Sequence, residues 1–182
     1  MLSERILEKA LDFGRIFKLV SFFVLVIAAV TIHVACGSQP GHEGDDASER
    51  EFKAREAITD ALAGDRSLDN DTINMIQRVK GGQYALENAL DDLVDQTHSL
   101  LSLIAKVSAP SKLKNQALAQ AQQLTAEYLR NRVHLLEACL SARTPTEFEA
   151  LYNQSRPALD AARSRIRALL ISYDPELEKF LP

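Results

Sequence analysis

The chain has 182 residues, 46% of them apolar, and its 21 lysines and arginines stand against 25 aspartates and glutamates for a net charge of −4. That balance lacks the basic footprint of a nucleic-acid binder and argues for no nucleic-acid partner. Two methionines and no tryptophan also argue against a promiscuous Met-rich binding groove.

The first organised feature is a leader. Arg5, Lys9, Arg15 and Lys18 precede a stretch without Asp, Glu, Lys or Arg from Leu19 to His42, and Glu43, Asp45 and Asp46 follow it. This asymmetry predicts a cytoplasmic N-terminus, with everything after Gly37 across the membrane. The apolar run Leu19 to Cys36 has eighteen residues, close to the ~20 that span a bilayer. It ends in Val34-Ala35-Cys36, followed by Gly37 and Ser38.

Those residues resemble the signal peptide of bacterial lipoproteins, whose basic n-region and apolar h-region end in a lipobox cysteine. The resemblance covers about the first forty residues. It implies that Cys36 is acylated and becomes the mature N-terminus, with residues 1–35 removed. Gly37 in place of Asp implies sorting to the outer membrane of a two-membrane bacterium, on its periplasmic side. The residues leave open two other fates: an uncleaved, single-pass anchor in the inner membrane, and simple cleavage after Ala35. In the anchored case Leu2, Ile6, Ala10 and Phe13 give the cytoplasmic segment Leu2 to Phe17 an apolar stripe of its own.

From Gly37 to Ala47 the Gly-, Pro- and acid-rich composition predicts a flexible tether, so residues 36–47 read as the cysteine that the resemblance implies is lipidated, followed by that tether. Beyond it, residues 48–182 read as helix. Ser48 and Glu51 form a capping box, and the helix they open ends at Gly64. Asp65 to Asn70 reads as a loop, and Asp71 as the N-cap of a helix from Thr72 to Val107. Val79, Leu86, Leu93, Leu100 and Val107 form one seven-residue series in that helix, and Ile76, Leu90 and Ile104 the other. Gly81-Gly82 predicts a kink or a close helix crossing within it. Pro110 suits the first turn of a third helix, Ser111 to Ser141. Thr144-Pro145-Thr146-Glu147 is the strongest start signal in the chain. The helix it opens carries Phe148, Tyr152, Ser155, Leu159, Ala162, Ile166, Leu169 and Tyr173 at steps of three and four, and the phase held through Pro157 predicts a kink there and not a break. Asp174-Pro175 closes it and caps a last turn. Short connections predict an all-α fold: an antiparallel up-down bundle of three long helices plus a shorter N-terminal one.

Candidate chemistry is sparse. Asp95 and His98 share a helix face at i, i+3, but a di-iron bundle needs more such pairs, and Asn131 stands where the carboxylate partner of His134 would be. No haem-attachment motif or catalytic constellation is legible, so neither enzyme activity nor a metal or cofactor is expected. Cys139, in the apolar stretch HLLEACL, reads as a buried small hydrophobe, with a disulfide to Cys36 or to another chain as the alternatives. Arg156, Arg163 and Arg167 line one side of the last long helix and form the candidate partner surface. Glu87, Asp91 and Asp95 line another helix and could pair with them. Tyr84, Tyr128, Tyr152 and Tyr173 are the aromatic candidates, three of them on core stripes. The expected function is a membrane-tethered interaction or assembly module, adaptor-like, pilotin-like or immunity-like. It would attach through lipid on Cys36 or the helix Leu19–Cys36 and meet an unidentified protein partner. The alternative is a signal-anchored sensor or structural coiled-coil protein.

Overall fold

The computed structural model describes residues 43–109 and 112–181. The leader, Cys36 and Pro110 lie outside the described residues, and so do the expectations placed on them. The fold is all-α. Helix α1 spans Glu43–Lys80, α2 Leu86–Val107, α3 Gln116–Cys139 and α4 Pro145–Tyr173, and a 3-10 turn covers Pro175–Lys179.

The expected short first helix and the loop after it are both corrected. The chain runs as one helix of 38 residues, the longest of the four, from Glu43 to Lys80. Ser48 lies inside it, not at its cap. Gly64 is no stop. It is where α2 comes close, since a Cβ there would stand 3.1 Å from Leu103 Cδ1. The reason for continuity is phase. Ile58, Leu62, Asp65, Asp69, Thr72, Ile76 and Val79 follow one another at steps of three and four, and all seven are buried. Asp65 and Asp69 occupy core positions of a helix that the sequence had suggested was a loop.

The helix ends where a kink or a close helix crossing was expected. Gly82 takes φ 68°, a left-handed conformation that costs glycine little. Gln83 N–H donates to Arg78 O at 2.9 Å and Gly82 N–H to Val79 O at 3.1 Å, the Schellman pattern of a helix C-terminus. Tyr84 staples the turn. Its ring lies 4.6 Å from the Arg78 guanidinium carbon, and its hydroxyl donates to Asp92 Oδ2 at 2.7 Å.

Of the seam expected there, Leu93, Leu100 and Val107 are fully buried on α2, Leu86, Leu90 and Ile104 are half-buried, and Ile76 and Val79 belong to α1 instead. Helix α3 starts later than expected, at Gln116, where Asn115 accepts from Leu118 N–H at 3.1 Å. Helix α4 starts as read. Thr144 Oγ1 accepts from Glu147 N–H at 3.2 Å, and the Glu147 carboxylate reaches back to Arg143 N–H at 2.8 Å. The helix continues through Pro157. Asp174 accepts from Glu176 N–H at 3.1 Å and so starts the 3-10 turn, as expected.

Contacts between helices keep a consistent order. Along α1, Arg55 meets Asp174, Asp65 meets Arg163, Asp69 meets Tyr152 and Lys80 meets Glu149, so partners on α4 fall in number as α1 rises. Glu51 meets Asn115 and Asp65 meets Tyr128 and Arg132, so partners on α3 rise with it. Thr72 on α1 meets Gln96 on α2.

Candidate functional site

The densest set of polar side chains lies in the core, where α1, α3 and α4 meet. Asp65 has no exposed surface. Its Oδ1 accepts from Arg132 Nε at 3.0 Å, and its Oδ2 accepts from Arg163 Nη2 at 2.8 Å and from the Tyr128 hydroxyl. Asp69, one turn on, accepts from the Tyr152 hydroxyl through Oδ1. Arg132 Nη2 stands 3.2 Å from that same oxygen, within ion-pair range. It lacks hydrogen-bond alignment there and is otherwise buried without a partner. Arg163 Nη2 also reaches the Tyr128 hydroxyl at 2.7 Å. The two guanidinium groups lie over the tyrosine rings, Arg132 against Tyr152 and Arg163 against Tyr128, each 5.6 Å from the ring centre.

Two carboxylates and two guanidinium groups make the cluster neutral as a whole, which is how buried charge becomes tolerable. Burial raises the Tyr128 hydroxyl well above its ordinary pKa, and the Asp65 charge adds to the effect. Tyr152 is raised for the same first reason. Burial alone would weaken the charge on Arg132, but Asp65 chiefly outweighs it and leaves its pKa above the usual value. Arg163 is raised as well, its burial outweighed by Tyr128 and Asp65. All four groups are therefore held in their ordinary protonation states, tyrosines neutral and arginines charged. The arrangement ties three helices in one register.

The arginine stripe divides. Arg163 is not available to the candidate partner surface as expected, because its side chain is 23% exposed and its guanidinium turns inward to Asp65. Arg156 and Arg167 are half-buried and stay outside the cluster. The acidic line Glu87, Asp91 and Asp95 is exposed on α2, and the carboxylates that take Arg163 come from α1 instead. His98 is exposed. His134 Nδ1 lies 3.1 Å from Glu137 Oε2 on the surface of α3. Among the described residues no group of three or more His, Cys, Asp or Glu is placed to hold a metal ion. Two hollows open on the surface. One, of about 580 Å3, lies at the α3–α4 turn beside Arg143 and Glu147; the other, of about 670 Å3, lies beside Arg78, Tyr84 and Asp92. Neither includes a member of the buried cluster.

The missed residues had a readable signal. Leu118, Ala121, Thr125, Tyr128, Arg132, Leu135 and Cys139 step by three and four along α3, so Arg132 occupies a seam position as surely as Tyr128 does. An arginine in one seam and two aspartates in another are complementary, but only helix phase reveals it.

Cys139 is fully buried, in agreement with its reading as a small hydrophobe, and has no disulfide among the described residues. Burial pushes its thiol from an ordinary value near 9 up to about 11. Iodoacetamide should therefore leave Cys139 unlabelled in native protein at neutral pH and modify it once denaturant is added, as read by peptide mapping. The sign of the linkage follows. The folded thiol keeps its proton longer than the unfolded one, so this contribution to stability is intact below pH 9 and is lost as pH rises through 11. Rapid native labelling would show that the α3–α4 end opens readily.

No family model matches the chain, and no curated protein or solved structure matches it either. Among the described residues no helix is long and apolar enough to cross a membrane.

Proposed function

We propose that this protein is an extracytoplasmic lipoprotein whose folded part is a protein-interaction module without catalytic activity. The observation that carries the reading is Val34-Ala35-Cys36 at the end of an uncharged apolar run, seven residues before the first described helix begins at Glu43. Attachment and folded body are then separate parts joined by a tether shorter than composition suggested, because Glu43 to Ala47 is already helical. Acidic residues at 43, 45 and 46 favour a helix start there through the helix dipole. The order of contacts along α1 supports an antiparallel up-down arrangement of the four helices. The internal use of Asp65, Asp69, Arg132 and Arg163 supports a scaffold role, since these charges are occupied with one another. The partner surface narrows to the side of α4 that bears Arg156 and Arg167.

Intact mass of protein extracted from membranes is the test. Loss of residues 1–35 together with a mass increment for three acyl chains is the expected result. A mass equal to the full chain would favour the anchored single-pass reading, which draws its own support from a run of near-spanning length. Crosslinking in the same membranes should capture a partner with wild-type protein and lose it with Arg156→Glu/Arg167→Glu. Undiminished capture would move the interface elsewhere.

A further inference from the structure

We propose that the end of the helices nearest the tether rests in a lipid bilayer through Phe52 and Phe180, an inference that rests on the membrane attachment proposed above. Phe180 is 78% exposed and Phe52 51% exposed, the two most exposed large apolar side chains among the described residues. The third, Leu140, follows the C-terminus of α3.

The two rings are linked to one end of the helices through a chain of contacts. The Phe52 ring lies 4.9 Å from the Arg55 guanidinium carbon. Arg55 Nη1 donates to Asp174 Oδ2 at 3.1 Å, and Asp174 caps the 3-10 turn that leads into Phe180. Phe180 is held outward by its own neighbours. Leu177 and Leu181 are buried on either side of it, and Phe180 N–H and Leu181 N–H both donate to Leu177 O at 3.0 Å. The ring is thus presented on a hydrogen-bonded turn.

Chain connectivity names the occupant. Phe52 lies ten residues into α1, and the chain from Cys36 to the start of that helix is seven residues, at most ~25 Å when extended. An acylated Cys36 therefore keeps this end, and not the Leu140 end, within reach of the bilayer. Asn115 N–H donates to Glu51 Oε1 at 3.0 Å, which brings the 112–115 segment to the same end, with Lys112 and Lys114 exposed beside it. Their alkyl stems can lie along lipid while the ammonium groups stay in water. Asp46, Glu49, Glu176 and Glu178 are exposed there too. The end is consequently not a basic patch, and its contact is apolar insertion of aromatic rings, largely independent of headgroup charge.

The chain has no tryptophan, so Phe180→Trp in the full chain gives a single reporter. Leu140→Trp is its counterpart. Each variant is reconstituted in phosphatidylcholine vesicles, with and without brominated lipid, and titrated with iodide. The expected result for Phe180→Trp is emission at shorter wavelength, loss of most intensity to brominated lipid, and protection from iodide. Leu140→Trp should show the reverse. Iodide quenching of Phe180→Trp equal to that of Leu140→Trp overturns the proposal. Protection from iodide without quenching by brominated lipid also overturns it, and assigns the patch to a second copy of the chain. Protein that fails to float with vesicles at all sinks the attachment reading itself, a separate outcome seen before any spectrum is taken.

Discussion

Replacing Arg132 with alanine should destabilise the fold by about 3–5 kcal/mol, the usual cost of removing one partner from a buried ion pair. The side chain is 1% exposed, and it is the largest of the fully buried side chains among the described residues. Its loss leaves Asp65 facing Arg163 alone, Asp69 without its nearer guanidinium, and a cavity between α1 and α3. Stabilities of this size are a large share of the ~5–15 kcal/mol that holds a domain together. Arg132→Met should recover the packing but not the charge and should fall between the two. Lys at this position should rescue poorly, because one ammonium cannot serve Asp65 and Asp69 with the geometry of a guanidinium fork. Denaturant midpoints measured by circular dichroism give the comparison. A midpoint for Arg132→Ala close to that of wild type would mean that water reaches the aspartates and the cluster is not sealed. By the same logic Arg163→Glu, a substitution that looks harmless on a solvated stripe, should destabilise. It would bring a third carboxylate beside Asp65.

Leu100→Asp should abolish cooperative folding. Leu100 has no exposed surface and sits between Leu93 and Val107 on the seam of α2. The substitution removes a buried aliphatic side chain, which costs about 2–5 kcal/mol when the replacement is alanine. It adds a carboxylate at a site with no exposed surface, at several kcal/mol more. Together these match or exceed the stability of a typical domain. Leu100→Ala should remain folded with a lowered melting temperature, which separates the cavity from the charge. The two variants melting together, close to wild type, would sink the assignment of this seam to the core.

Much of the fold is legible in local sequence. The Thr144-Pro145-Thr146-Glu147 start, the Asp174 cap and the Leu93–Leu100–Val107 seam are set by interactions within a few residues or by simple period, and each appears in the structure as read. Cys139 belongs with them, since its apolar neighbours on α3 already imply burial. The division between α1 and α2 was not legible in the same way. Gly64 and the polar run Asp65 to Asn70 have the local chemistry of a loop, and Gly81-Gly82 that of a mild defect. The reverse holds, because Gly64 admits Leu103 and the two aspartates find Arg132 and Arg163, partners 67 and 98 residues away from Asp65. Burying those charges is unfavourable until the other helices are in place, so no local propensity can announce it. What the sequence alone determined here is helical class and helix termini with strong caps. What only the tertiary structure decided is which polar residues are core. The favourable energy of a buried ion pair exists only when both partners, brought from different helices, exclude water together.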